Sequence, residues 1–384
     1  MRIGVIHSFY QSSSPSGENQ AVLAQVEALE ASGHEVQLIS QKSDDLASEK
    51  LPYRASSAWR VSTGYGSSPG PEIHAFRPDV VHVHNLFPNW GHRWLEETEA
   101  PVVLSIHNFR PLCAAGTLYR SGAPCTLCPT KTSLYSLAHG CYRNSVVATI
   151  PLALATAQPY SRQYVPNHVS QIVFLSEHQR RTYQEFGEIP RSSTVVPNFV
   201  PEVRTQPSFD ASPFGWCYIG RISEEKGVFD LVRYWPEGVH LSIYGDGPGV
   251  PELSGRLNRD ISYGGPLPNE QVDNVLRRHQ GLVFPSKVAE VSPLVYMESL
   301  RAGRPVVAFE ANAAARDIRA NGGRGGEVFK DWDDLAKAVE ALSYRPNAGR
   351  EAREVYEEKF STVAWLRAIE SVYESVIERA SNSG

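Results

Sequence analysis

The chain has 384 residues, enough for two domains, and its 41% apolar and 21% charged content is ordinary for a globular protein. A formal net charge of −5 gives no basic footprint for nucleic acid. No apolar run is long enough to span a bilayer: the best candidate, Val146–Ala157, is short and contains Pro151.

The N-terminus enters a strand at once, without a charged-then-apolar leader. A cytoplasmic location with reduced cysteines is therefore expected, with contact at a membrane periphery left open. Arg2–His7 is the first strand. A Ser-rich loop follows to Gly17, then a helix with Val22, Val26 and Leu29 at helical spacing, closed by Gly33. Glu35–Ser40 is the second strand, so the chain opens on a βαβ unit, whose glycine-containing loop could approach a phosphate or a sugar or be an ordinary connection. Gln41–Pro71 is polar and Gly/Ser-rich and is expected to be a mobile loop. Asp79–His84 and Pro101–His107 are strands, each ending in histidine at the carboxyl end, the edge where ligands bind in open α/β sheets. His82 and His84 share one face, and a hydrogen-bonded pair at a strand end is the simpler reading for His82. For His107, a site role and a structural one stand level.

Cys113, Cys125, Cys128 and Cys141 occur in one turn-rich region with a central C-x2-C. Four thiolates with one close pair could surround a tetrahedral zinc and order a segment poor in apolar residues; unlinked thiols or disulfides are the alternatives. Cys217, in the apolar run Trp216–Ile219, is expected to pack as a small hydrophobe. Val146–Ala157 suggests a buried helix. Gln171–Leu175 is a strand, and Ser176 caps the helix Glu177–Phe186. The Pro-rich stretch 201–213 is the expected linker between a first domain, 1–200, and a second, 214–362.

The second half alternates in the same way. Gly215–Ile219 is a strand that leads to Gly220-Arg221-Ile222-Ser223-Glu224-Glu225-Lys226-Gly227, and Val239–Tyr244 to Gly245-Asp246-Gly247-Pro248. Arg221 and Lys226 follow a strand's carboxyl end, where two cations could neutralise a diphosphate; a solvated loop with an internal pair to Glu224 or Glu225 is the alternative. Gly281–Phe284 is a strand, Ser292 a candidate N-cap with Pro293 at the first helical position, and Gly303 the helix terminator. Glu290 precedes this helix and Glu298 lies within it. The free N–H groups of Val291 to Val295 would favour an anion, and two carboxylates would accept from hydroxyls, a combination suited to a sugar nucleotide. A capped surface helix with two solvated glutamates is the alternative. The last helix carries Val363, Leu366, Ile369, Val372 and Val376 as one stripe. Two doubly wound domains with a cleft between them are expected.

These pieces resemble a known family. Glu290 and Glu298, seven residues apart, resemble the E-x7-E motif of retaining glycosyltransferases. Gly220-Arg221 with Glu225-Lys226-Gly227, Gly245-Asp246-Gly247-Pro248, Val196-Pro197-Asn198 and Gly303-Arg304-Pro305-Val306-Val307 are similar to further motifs, in the same order. The chain resembles a GT-B enzyme of glycosyltransferase family 4, in the subset with a four-cysteine insertion, 113–141. The resemblance implies two Rossmann-like domains facing a central cleft, with the C-terminal helix, 363–384, packing back on the first. It implies that Arg221 and Lys226 hold the donor diphosphate and Glu290 contacts the transferred sugar. Glu298 would bind the ribose, and the backbone at Ser292, Leu294 and Val295 would donate to a phosphate. Gly220 and Asp246 would frame the donor loops, and Gly265 would lie beside the base. His107 would sit near the reacting sugar, with Gly17 letting the N-terminal loop approach.

The function expected is transfer of a hexose-type sugar from a nucleoside diphosphate donor to an acceptor hydroxyl, with anomeric retention and no catalytic metal. The acceptor would be a saccharide, a lipid or a small metabolite. A sugar-nucleotide epimerase of the same fold and a non-enzymatic, zinc-ordered interaction protein are the rivals.

Overall fold

The computed structural model describes residues 1–9, 17–46, 50–157, 165, 167–186, 192–203 and 214–382. These form two compact units: Met1–Arg120, Cys125–Asn198 and Trp365–Gly384 in one, Ser121–Pro124 and Phe199–Ala364 in the other. Most of the expected linker, 204–213, lies outside the described residues.

The strands of the N-terminal half are β1 Arg2–Phe9, β2 Glu35–Lys42, β3 Val80–Asn85, β4 Val102–Ile106, β5 Tyr119–Arg120, β6 Ala123–Pro124, β7 Gln171–Phe174 and β8 Ser193–Val195. All but the two-residue β5 and β6 form one parallel sheet in the order β2-β1-β3-β4-β7-β8. A parallel sheet covered on both faces needs apolar strands, and Val80, Val81 and Val83 comply. His82 and His84 on the same strand are the exception and are buried too.

Helix α1, Gly17–Ala31, buries Val22, Val26 and Leu29, as their spacing predicts, and Gly33 follows at φ +90°. The expected loop Gln41–Pro71 is instead partly helical, including Ser43–Leu46 and α2, Lys50–Thr63. α2 packs on a later helix, α4, Val146–Ala157. Its polar residues mark one solvated face, and tertiary packing supplies what its composition lacks. The short helix α3, Leu134–Ala138, also packs on α4. The expectation of a buried helix for α4 needs correcting. Leu152, Ala153 and Thr156 face inward, but Val146, Val147, Ile150 and Leu154 are exposed, because neighbours cover only one side.

The second unit carries β9 Trp216–Ile219, β10 Leu241–Tyr244, β11 Ile261–Gly265, β12 Gly281–Phe284, β13 Val306–Phe309 and β14 Gly326–Phe329. They form a parallel sheet in the order β11-β10-β9-β12-β13-β14. One layer of core packs Leu282, Met297, Leu300 and Val306; another packs Trp216, Leu231, Val283 and Val307. Cys217 is fully buried, as expected of a small hydrophobe. Helix α5 is Leu294–Arg301.

The last helix, α6, is Thr362–Ser381, and from Trp365 onward it belongs to the N-terminal unit. Its buried side is Trp365, Ile369, Tyr373 and Val376, whereas Val363 of the predicted stripe is 66% exposed. The aliphatic pattern missed two aromatic anchors that keep the same four-residue spacing.

Candidate active site

In the second sheet the chain order reverses between β9 and β12, the position at which open α/β sheets bind ligands beyond the carboxyl ends. The loops after β9 and β12 both leave from this edge, and a glycine lets them touch. Gly227 has φ +74°, and a Cβ there would stand 2.2 Å from the Pro285 carbonyl oxygen. Lys287 N donates to Glu225 O at 2.9 Å across the same contact. The result is the pair Lys226 Nζ–Glu290 Oε1 at 2.8 Å, joining residues 64 apart in sequence. The alternative partner is otherwise engaged, since Ser223 Oγ donates to Glu225 Oε1 at 2.7 Å. Arg221 is exposed and makes no ion pair among the described residues.

The neighbouring loops close the same edge. Ile222 N donates to Asp246 O at 2.9 Å and Gly220 N to Tyr244 O at 3.1 Å. Gly265, at φ +81°, accepts through its carbonyl from Gly245 N at 2.9 Å. Gly220, Asp246 and Gly265 thus sit at the ends of three adjacent strands.

Helix α5 starts one residue later than expected. Pro293, not Ser292, occupies the N-cap position, with φ −74° and ψ 116°, and no side chain caps the helix. Leu294 and Val295 therefore present first-turn N–H groups without a capping oxygen, and an anion is the natural complement. The helix closes where the sequence places its end: Gly303 has φ +69° and donates to Leu300 O at 3.0 Å. Glu298, one turn in, accepts no side-chain hydrogen bond among the described residues. Burial raises its carboxyl above the usual range; nearby Arg301 opposes the shift and Asp273 adds to it. Hydroxyl donors from a ligand would relieve that burial.

The N-terminal unit gathers a different set at the ends of β1, β3 and β4. Tyr373 OH lies 2.7 Å from His82 Nδ1, and His82 Nε2 lies 2.8 Å from Ser105 Oγ. His84 Nδ1 meets His107 Nε2 at 2.9 Å, and His7 Nε2 reaches Asn19 Oδ1 at 2.9 Å. Burial pushes His82 and His107 down to about 3, the latter with repulsion from His7 and His82. His7 falls to about 4 through burial, against a hydrogen bond to Asn19, and His84 lies well below its ordinary value. His107 is therefore a neutral hydrogen-bonding group at physiological pH. His82 is the hydrogen-bonded strand-end residue that the sequence suggests.

Beside this cluster is a cavity of about 250 Å³ lined by His84, Asn85, Phe87, His107, Asn108 and Arg110, with a mainly apolar remainder. Glu18, next to Gly17 at the start of α1, hydrogen-bonds Asn85 and Asn108, but its Oε1 is buried without a partner. Among the described residues, Arg110 Nε, His7 Nδ1 and Ser8 Oγ are also buried without a partner. Native folds satisfy nearly all such atoms, so this cluster is equipped to meet polar groups of a ligand. Sequence reasoning missed Glu18, Asn85 and Arg110, although Glu18's place at a helix start after a glycine was a usable signal.

Burial raises the Glu18 carboxyl from 4.5 to about 7, with Asn85, Arg110 and Asn108 opposing. A raised acid stabilises the fold below its unfolded value, and that contribution is lost as pH rises through the folded value. Glu18→Gln should therefore gain in melting temperature relative to the parent between pH 4.5 and about 7 and hold that gain above it. Parallel melts at pH 5 and pH 8 check this; a difference independent of pH would rule out the titration.

The zinc expected at Cys113, Cys125, Cys128 and Cys141 is not shown. Among the described residues no group of three or more His, Cys, Asp or Glu is placed to hold a metal ion, and all four are free thiols. They do feel one another: burial, then repulsion from Cys113, Cys141 and Cys125, pushes Cys128 up to about 11.

A family model described as Glycosyltransferase Family 4 matches residues 15–204, and one described as Glycosyl transferases group 1 matches residues 214–344. The chain belongs to the GT-B glycosyltransferases of family 4. No curated protein matches it significantly in sequence. Among solved structures, this glycosyltransferase is similar to Anabaena HepE in complex with UDP, at 15% identity over 98% of this chain and 100% of that one, with a TM-score of 0.61. HepE in complex with UDP-glucose gives 16% identity and a TM-score of 0.60, covering 98% and 100%. Sucrose-phosphate synthase from Thermosynechococcus elongatus gives 14% identity and a TM-score of 0.69, covering 98% and 99%. At such identities the likeness is one of fold, and both sheets of the glycosyltransferase conform to it.

Proposed function

We propose that this glycosyltransferase moves a hexose-type sugar from a nucleoside diphosphate donor to an acceptor hydroxyl with retention of the anomeric configuration. The observation that carries this reading is the Lys226–Glu290 pair at the sheet's switch point, beside the uncapped start of α5. Breaking the glycosidic bond of the donor leaves negative charge on the departing diphosphate. Arg221, Lys226 and the first N–H groups of α5 supply fixed positive potential there, strongest where charge develops. Glu290 accepts from the sugar's hydroxyls while holding Lys226 in place, and Glu298 accepts from the ribose. The leaving phosphate itself takes the acceptor's proton, so the reaction on the retained face needs no carboxylate pair of the glycosidase type. An Asp-x-Asp triplet, Asp331-Trp332-Asp333, follows edge strand β14 rather than β9 or β12, and the reading gives it no part.

HepE is seen with UDP and UDP-glucose, so uridine is the first base to try here. The polar rim of the N-terminal unit's cavity, with Asn85, Asn108, His107 and Arg110, suits a hydroxyl-bearing acceptor. A thermal-shift series with UDP, GDP and ADP, followed by NMR of the product's anomeric proton, tests the proposal. One nucleotide at a hundredfold excess over its Kd should stabilise the fold by about 2.7 kcal/mol. No shift with any of them, or an inverted anomer, would overturn the reading.

A further inference from the structure

Of the eleven large apolar side chains exposed among the described residues, six lie on three neighbouring helices: Trp59 on α2, Leu134 on α3, and Val146, Val147, Ile150 and Leu154 on α4. The exposure is substantial, at 60% for Trp59, 61% for Leu134 and 77% for Val147. Val147, Ile150 and Leu154 follow helical spacing, so they form one outward stripe, and α4 has no charged residue in its 12 positions. Scattered exposed apolar residues are normal, but a contiguous group marks an interaction surface.

The charge around this face indicates what covers it. From Ala100 to Ser176 there is no Asp or Glu, while Arg110, Arg120, Lys131, Arg143 and Arg162 lie in that stretch. At the chain's average of 42 acids in 384 residues, those 77 positions would hold about eight. Lys131 and Arg143 are exposed just ahead of α3 and α4, and Arg54 is exposed on α2 one turn before Trp59. An acidic protein thus keeps one apolar, acid-free and basic face. An apolar stripe flanked by basic residues, with a tryptophan at its margin, is the signature of a surface that lies in the headgroup region of an anionic bilayer. The same helices form part of the cavity wall, through Arg60 and Val61 of α2 and Leu152, Ala155 and Thr156 of α4. No described helix is long and apolar enough to cross a membrane, so the contact is with its surface.

We propose that the outer face of α2, α3 and α4 docks on an anionic lipid bilayer. The inference goes beyond the donor chemistry and does not depend on it. The test is flotation of the full chain with vesicles of phosphatidylcholine alone or mixed with phosphatidylglycerol, at low and high salt. The chain should float with the anionic vesicles, less so at high salt. The combined variant Val147→Ser, Ile150→Ser, Leu154→Ser should lower the partition about tenfold or more. Lys131→Gln with Arg143→Gln should weaken it and flatten its salt dependence. Both variants should keep the parent's melting temperature and nucleotide-induced shift, which separates this inference from the donor assignment. Absence of flotation with anionic vesicles, or equal flotation by the apolar variant, overturns the proposal. So does a concentration-dependent dimer that the apolar variant dissociates, since a second copy would then be what covers the face.

Discussion

Replacing Lys226 by alanine is expected to lower donor turnover about a thousandfold while leaving the fold intact. The ammonium sits 2.8 Å from Glu290 and is 30% exposed, so it is held in place yet open to a ligand. As a structural ion pair it would be worth only about 0–1 kcal/mol. Aimed at a leaving diphosphate, one fixed charge donor is worth about 2.7–4 kcal/mol in the transition state, or a factor of about 10²–10³. The two roles therefore predict different outcomes. A structural pair would show in the melting curve and spare the rate, whereas a catalytic cation would spare the melting curve and remove the rate. The measurement is release of nucleoside diphosphate from the donor with water as a slow acceptor, alongside a thermal melt. Near-native release by Lys226→Ala would refute the role. Lys226→Arg should recover part of the rate, because it keeps the charge but not the point geometry of the ammonium.

Acidification from pH 7.5 to pH 5 should destabilise the N-terminal unit strongly. His7, His82 and His84 are all less than 5% exposed and neutral, and a depressed base stabilises the fold only above its unfolded value of 6.5. As pH falls below that value the unfolded chain takes up protons that the fold refuses until about pH 3–4. For His82 alone this amounts to about 2 kcal/mol at pH 5. Glu18 works in the opposite direction over the same range, but it is one carboxyl against several imidazoles. Melting at the two pH values gives the size of the effect, and imidazole proton shifts that stay flat between them identify the groups. Titration midpoints near 6.5 for these histidines, or an unchanged melting temperature, would contradict the account. The cluster has a functional consequence as well. His107, hydrogen-bonded to His84, stays uncharged and can bind a hydroxyl, but it does not serve as an imidazolium acid.

The local features were legible because short-range rules write them into the chain. The strands around Val81 and Val283, the closure of α5 at Gly303 and the cap of Glu177–Phe186 by Ser176 all follow from neighbours within a turn. Gln179 N indeed lies 3.3 Å from Ser176 Oγ. Motif spacing also sufficed to place Glu290 and Glu298 on one loop–helix unit. The failures share a cause. α2 was taken for a loop because its stability comes from α4, far along the chain. α4 was taken for buried because composition shows that a helix is apolar but not which side finds a neighbour.

The amino-acid order alone thus determined the βα alternation and the family motifs, since these depend on periodicity and on types at fixed offsets. Only the tertiary structure decided that Lys226 meets Glu290, that Tyr373 of the last helix reaches His82, and that Glu18 meets Asn85 and Asn108. Sheet order and the close approach through Gly227 made the first of these meetings, and packing within the N-terminal unit made the others. Such contacts join residues tens to hundreds of positions apart, and no local pattern records which of the many available partners the packed chain will choose.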